Sequence, residues 1–281
     1  MASLLQVAFV GIADAAPATA VTTYSVNGVF LESRSAGRIA VIAHDKIPGY
    51  MEAMTMPFNV KKPAEIRELQ SGEEIVFRLS VIGTEDWIDN IKKTGKRAPA
   101  TGLAPPYTDP VKELEPGAIL PDCVLTNQAE QAIHLAKFKG QALAFTFFFS
   151  RCPLPSFCPR MNNNFLAVQT ILRTEATQTN WQLLSISFDP GADTPERLRA
   201  FATQHQLSGY HWDFATASAD EVRKFGGAFG LQFWRENGSF SHNLRTVVVN
   251  AAGRVQKVFN GNDWQPAELA AEMRKAMAAS P

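Results

Sequence analysis

Two short stretches of this sequence concentrate side chains that can hold a soft metal ion or exchange electrons. The first runs His44-Asp45-Lys46-Ile47-Pro48-Gly49-Tyr50-Met51-Glu52-Ala53-Met54-Thr55-Met56-Pro57-Phe58 and packs three of the chain's seven methionines into six positions. If a strand begins at Met54, Met54 and Met56 share a face, because side-chain direction repeats every two residues. Two thioethers beside the His44 imidazole make a soft S,S,N donor set, suited to Cu(I) or Ag(I) and poor for magnesium or calcium, which take oxygen. The same residues would serve equally well as core packing, since methionine fills irregular interior gaps.

The second stretch is Ser150-Arg151-Cys152-Pro153-Leu154-Pro155-Ser156-Phe157-Cys158-Pro159-Arg160-Met161. Two cysteines between a strand end and a helix start are placed for either redox chemistry or metal binding. A helix beginning at Pro159 puts Cys158 at its N-terminal end, where the dipole favours thiolate. Prolines beside both cysteines predict an exposed loop rather than two buried structural thiols. Along a continuous helix the two Cα atoms would be about 9 Å apart, beyond the roughly 7 Å a disulfide tolerates. The intervening residues must therefore loop outward, and Pro155 opposes helix there. Cys123 reads as a small core hydrophobe, and His134, His205 and His211 as surface or helix-end residues. Asp189 and Asp193 are expected to shape a loop and cap the helix after it.

These stretches need two scaffolds. The chain has 281 residues, above the usual size of one domain, with 46% hydrophobic and 19% charged residues, which excludes a disordered chain. Twenty-seven basic residues balance 27 acidic ones, so no basic field exists to attract nucleic acid. Three cysteines are too few for a disulfide-built fold. Residues 1–21 hold an apolar run, Leu4–Ile12, followed by Ala13-Asp14-Ala15. They are expected to be a signal-like segment or a disordered tail, although no basic residue precedes the run.

Residues 22–92 alternate in short runs: Tyr24–Leu31, a turn at Ser35-Ala36-Gly37, Arg38–His44, Met54–Val60, Ile75–Ile82 and Trp87–Ile91. This pattern predicts a small five-stranded, OB-like β-barrel, with a helical turn over Pro63–Leu69. Residues 93–119 are basic and then proline-rich, expected of a linker. Residues 120–281 alternate strand and helix, predicting an α/β domain. The strands are Ala142–Ser150, Gln182–Phe188, Thr246–Asn250 and Val255–Phe259, the last two joined as a hairpin across Ala251-Ala252-Gly253. The helices are Pro159–Thr174, Pro195–His205, Ala219–Phe229 and Gln265–Ala279.

The first stretch resembles the CusF family of periplasmic copper-binding domains, in which a strand-end histidine is followed by a loop and then Met-Thr-Met. The matching residues are His44, Met54 and Met56. The family's tryptophan, which covers the metal by a cation–π contact, should stand three residues before the first methionine, where this chain has Met51. The resemblance thus implies either a third thioether or a more exposed ion, unless Trp87 supplies a lid.

The second half resembles the SCO/SenC family, on Leu120-Pro121-Asp122-Cys123, FFFSRCP, SFDPGADTPERL and SHNLRTVVVN. That resemblance implies a thioredoxin-like fold, copper held as Cu(I) or Cu(II) by Cys152, Cys158 and His242, and help in assembling the dinuclear copper site of cytochrome oxidase. The family usually has three residues between its cysteines and this chain has five. An acidic residue often precedes the histidine, and here it is Ser241.

A metallochaperone acting on a copper-acceptor protein such as an oxidase subunit is therefore the expected function. The location implied is the periplasm or cell envelope, with the N-terminus as the place of any membrane anchor. The alternatives are an envelope thiol–disulfide oxidoreductase using Cys152 and Cys158 as a redox pair, and a copper sequestration protein. Thioredoxin-type oxidoreductases usually carry Cys-X-X-Cys and a proline where this chain has the region of Leu244, and the loop here presents His242 instead.

Overall fold

The computed structural model describes residues 20–98, 113–175, 179–207, 210–236 and 238–279. The expected export signal and the centre of the expected linker lie outside these residues. The first domain is an antiparallel sheet of β1 (Thr22–Arg34), β2 (Ile39–His44), β3 (Met54–Asn59), β4 (Glu73–Ile82) and β5 (Glu85–Arg97), in the order β3-β2-β1-β4-β5. A parallel bridge between Val60 and Ile88, with Lys61 N donating to Ile88 O at 3.0 Å, joins the two edges and closes the barrel. Phe58, Phe77 and Ile88 fill its interior, with Phe58 meeting Phe77 edge-on at 5.2 Å.

β1 is longer than the alternation suggested because it pairs with β2 along one edge and β4 along the other, and a bulge between Phe30 and Glu32 bends it to do so. β5 likewise continues past Lys92 to Arg97. Its basic residues are held by the other side of the barrel: Lys93 Nζ donates to the Glu68 carbonyl and Arg97 to Gln70 Oε1, both at 2.8 Å. Gly28 stands opposite His44, and a Cβ there would lie 2.8 Å from the Ala43 carbonyl oxygen.

The second domain contains β6 (Val124–Asn127), β7 (Ala132–His134), β8 (Ala142–Phe148), α1 (Cys158–Glu175), β9 (Trp181–Ser187), α2 (Pro195–Gln204), β10 (Trp212–Thr216), α3 (Ala219–Gly227), β11 (Phe233–Glu236), β12 (Ser239–His242), β13 (Arg245–Val249), β14 (Val255–Asn260) and α4 (Pro266–Ala278). Its sheet runs β14-β13-β8-β9-β10-β6-β7, with β8, β9 and β10 parallel and β13 antiparallel to β8. All seven residues of β8 are buried, as its continuous apolar run requires of a central strand. Its one hydroxyl is satisfied, because Thr146 Oγ1 donates to the Arg245 carbonyl at 3.0 Å. Helices α1 and α4 pack together across it.

Four strands and one hairpin partner escaped the sequence patterns: β6, β7, β10 and the pair β11 and β12. β10 interrupts its apolar residues with Asp213, whose carboxylate accepts from Gln128 at 3.1 Å and Gln182 at 3.0 Å. Residues 113–119 are not free of the fold: Leu114 N donates to Ala228 O at 2.8 Å and Gly117 N to Val255 O at 2.7 Å. The cap of α2 is Thr194, which accepts from Arg197 N, and Asp193 is engaged elsewhere. Among the described residues no helix is long and apolar enough to cross a membrane.

The Gly28 contact yields a prediction. Gly28→Ala should destabilise the barrel by about 1–3 kcal/mol, the usual cost of forcing a methyl group into closed packing. Denaturant titration of the full chain should show an earlier transition, and an unchanged transition would contradict the close approach.

Candidate metal centre

β8 delivers the backbone to the mouth of the sheet, and its end is fixed by a buried carboxylate. Asp193 is fully buried and accepts from Ser150 N at 2.9 Å, Ser150 Oγ at 2.5 Å and Ser187 Oγ at 2.6 Å, tying the ends of β8 and β9 together. Asp189, also buried, is bridged by Arg151 at 2.6 Å and Arg235 at 3.1 Å. These two aspartates are positioning residues, and they hold the backbone on either side of Ser150-Arg151 just before Cys152.

From there the chain turns through Pro153–Phe157 and enters α1 at Cys158. Phe157 N donates to Leu154 O at 3.0 Å, making the turn that brings the second cysteine back toward the first. The loop does not lie open to solvent as its prolines suggested. Leu154, Ser156 and Phe157 are buried, and the first domain meets the loop through Asp86 at Ser156 and Phe58 across a cavity from Phe157.

His242 comes from the end of β12. Its Nδ1 lies 2.8 Å from the Asn243 carbonyl, so Nδ1 carries the proton and Nε2 keeps its lone pair. The backbone thus orients the ring in place of the acidic neighbour that Ser241 replaces. Phe149, Phe157 and Phe188 pack around the ring with centroids 5.7, 5.5 and 5.0 Å away. Nε2 is 3.9 Å from the Cys158 sulfur, and the ligand atoms of Cys152, Cys158 and His242 all lie within 4.8 Å of one another.

This spread suits a small ion. Donors about 2.3 Å from a metal in a trigonal plane are roughly 4 Å apart, so a slight contraction would close the set. Two thiolates and a neutral imidazole carry two negative charges, which a soft monovalent or borderline divalent cation would offset in a buried setting. Both thiols are free.

The thiolate is placed on the other sulfur from the one the helix position suggested. Burial would raise both thiols, but at Cys152 it is outweighed by the hydrogen bond from the Cys158 thiol, by the facing His242 ring, and by the Cys158 backbone N–H. Cys152 therefore ionises well below the usual thiol range. The first N–H of α1 faces Cys152, not the residue that carries it. Cys158, buried and facing that thiolate, is held well above the usual range.

In the barrel, His44 pairs directly across β2 and β3 with Met54, and Ile42 with Met56. All three candidate ligands are buried, each 3% exposed. His44 repeats the arrangement of His242: its Nδ1 lies 2.7 Å from the carbonyl of the next residue, Asp45, turning Nε2 inward. Phe58 meets the His44 ring edge-on at 5.5 Å. Met51 is buried and closes the preceding loop through paired backbone hydrogen bonds with Ile47. Trp87 packs under the Lys61 ammonium, 4.9 Å from its ring centre, in a cleft shared with Arg160.

Among the remaining candidates, His134 faces Asp122 at the surface and His211 stacks on Tyr210. His205 ends α2 and also lines a cavity of about 150 Å³ that opens on Cys152 and Cys158. Cys123 is buried with its thiol raised to about 11 by desolvation, as a core residue would be. The residues that sequence reasoning missed sit where the domains meet. The Asp86 carboxylate, buried and pushed upward in pKa by that burial, is hydrogen-bonded to Ser156 in the cysteine loop. Tyr50 has a buried hydroxyl, and burial, followed by the fields of Asp86, Tyr24 and Cys152, raises its pKa. No local signal distinguishes these residues, since the contact is between domains.

A thioredoxin-like sheet that brings two cysteines at a strand-to-helix junction beneath a histidine from a facing hairpin defines a class of thiol- and metal-handling domains. Residues 111–278 match the family model described as SCO1/SenC, and residues 23–93 match that of the copper binding periplasmic protein CusF. The chain belongs to the SCO1/SenC family and carries a CusF-like domain at its N-terminus. It is 29% identical over 144 residues to the SCO1 protein homolog of Bacillus subtilis (strain 168), covering 50% of this chain and 72% of that protein. A SCO1/SenC family lipoprotein from Bacillus anthracis str. Ames superposes with a TM-score of 0.52 at 25% identity, over 58% of this chain and 98% of that one. A second solved structure, of a member of the Sco family of cytochrome c oxidase assembly proteins with a disulfide switch, gives 0.52 at 26% identity, over 59% and 98%.

The charge placement predicts which sulfur reacts first. Iodoacetamide at pH 7 should alkylate Cys152 before Cys158, as read by peptide mass spectrometry. His242→Ala should raise the Cys152 pKa and slow that reaction about tenfold at pH 7, with the difference vanishing above pH 9 where both forms are ionised. Faster alkylation of Cys158 would overturn the assignment.

Proposed function

We propose that this protein is a copper metallochaperone of the cell envelope, holding copper through Cys152, Cys158 and His242 and passing it to an acceptor such as a cytochrome oxidase subunit. The observation that carries this reading is the convergence of two sulfurs and an oriented imidazole nitrogen within 4.8 Å. Copper is favoured by the softness of that set, by the copper-binding family that the first domain matches, and by the oxidase-assembly role of a Sco relative. His44, Met54 and Met56 form a second, thioether-based Cu(I) site, with Met51 as an added thioether. An envelope location is supported by the periplasmic description of the matching first-domain family and by a lipoprotein relative.

A second reading, thiol–disulfide exchange, is favoured by the ionised Cys152 thiol, which is the form that attacks disulfides. The two readings separate at His242. In the copper reading the reduced full chain should bind two equivalents of Cu(I) and the oxidised chain one, because a disulfide removes both anionic ligands. His242→Ala should lose most Cu(II) binding at the cysteine site, read by thiolate charge-transfer absorbance, while still forming the disulfide. If His242→Ala binds Cu(II) like the parent and the parent reduces a disulfide substrate rapidly, the oxidoreductase reading replaces this one.

A further inference from the structure

The two candidate donor sets belong to different domains, and strands that carry members of each pack on one another. β3, which carries Met54 and Met56, packs on β12, which ends in His242. Phe58 touches the His44 ring and Phe157 the His242 ring, and these two phenylalanines line one cavity between the domains. Tyr50, next to Met51 in the methionine loop, has a buried hydroxyl. The junction is fastened at the cysteine loop. Asp86 of β5 binds Ser156, Asn262 Nδ2 donates to the Ser156 carbonyl at 2.7 Å from the other side, and Arg160 of α1 approaches Glu85 at 3.8 Å. Ser156 is wholly buried between them, so the extra length between the cysteines is used to reach the barrel.

We propose that the two sites act in series within one chain: the His44, Met54 and Met56 set hands Cu(I) directly to Cys152, Cys158 and His242 across this docked seam, without release to solvent. The inference rests on the copper reading above. The chemistry gives the direction. Thioethers are neutral and thiolates anionic, so a monovalent cation moves toward the cysteines. The step is ligand exchange with no change of oxidation state: bonds to Cys152, Cys158 and the His242 nitrogen replace those to Met54, Met56 and the His44 nitrogen, and a thiol proton lost on binding passes to water. The way out is separate, because the cavity that opens on Cys152 and Cys158 beside Asn162 and His205 is lined by the second domain alone. A docked barrel therefore covers the receiving side and leaves the delivering side open.

Docking within one chain holds the sites at effective concentrations in the millimolar range, and that makes the proposal testable with Ag(I) as a redox-inert stand-in for Cu(I). Full-length chain is loaded with one equivalent of Ag(I) while Cys152 and Cys158 form a disulfide. Methionine-methyl NMR reports the metal on Met54 and Met56, and thiolate–Ag(I) absorbance reports its arrival after reduction by a phosphine, in the presence of a soluble Ag(I) chelator. The expected arrival rate is independent of protein concentration and the chelator captures little metal. Transfer between two different chains, one Met54→Leu/Met56→Leu and the other Cys152→Ser/Cys158→Ser, should be at least tenfold slower at micromolar concentration and chelator-sensitive.

Asp86→Lys, which sets a cation against Arg160, and the milder Ser156→Ala should each shift metal toward the chelator while methionine-methyl NMR still shows Ag(I) binding in the barrel. If transfer within the chain scales with protein concentration, or neither variant changes chelator capture, the relay is wrong although both sites stand. If the Cys152→Ser/Cys158→Ser chain shows no methionine-methyl shift with Ag(I), the thioether site itself is wrong and the relay falls with it.

Discussion

A central strand buried on both faces must end where the site begins, and the Asp193 carboxylate fixes how it ends. It is removed from solvent and satisfied by a backbone N–H and two hydroxyls from two neighbouring strands. A buried charge is tolerated only when its hydrogen bonds are complete. Completing them locks Ser150 to β9 and leaves little freedom in where Cys152 emerges. Everything downstream inherits that constraint: the turn through Leu154–Phe157, the start of α1 at Cys158, and the depth at which the two sulfurs lie beneath His242.

Both histidines use one device to present a nitrogen. Each gives its Nδ1 proton to the carbonyl of the following residue, at 2.7 Å for His44 and 2.8 Å for His242. Because that carbonyl is part of the ring's own chain segment, the tautomer is set by local backbone geometry rather than by a distant carboxylate. This explains how the site keeps its imidazole oriented with Ser241 in the preceding position. The partners of the two nitrogens differ in kind. His44 pairs across the strands with Met54, whose thioether is neutral, whereas His242 faces sulfurs of which one ionises readily and the other resists. That asymmetry comes from mutual repulsion between two buried thiolates, relieved when a cation joins them.

The domain junction shows why a two-domain protein is more than its parts here. The barrel contributes Asp86 and Tyr50 to the surroundings of a loop that belongs to the other domain. In exchange Leu154, Ser156 and Phe157, in a loop whose prolines in isolation favour an open turn, become buried. The cysteine spacing and the barrel surface are thus mutually dependent, and neither is interpretable without the other.

Much of this protein was legible in the sequence because its signals are local. The Met-Thr-Met strand after His44, the apolar run of β8 and the cysteines before α1 each follow from side-chain periodicity or from the residues at a strand end. Short or interrupted strands were not legible. β10 hides its strand behind Asp213, and β12, which carries His242, is only four residues long. Composition and spacing alone left the cysteines open between redox and metal roles, and suggested that Cys158 holds the negative charge. Only the tertiary structure moved that charge to Cys152, because the groups that stabilise it come from α1 and from His242 in a hairpin far along the chain. It also decided that much of the loop is buried and that the barrel packs against the second domain. Both depend on long-range contacts, whose formation reflects shape and desolvation between surfaces rather than any pattern along the chain.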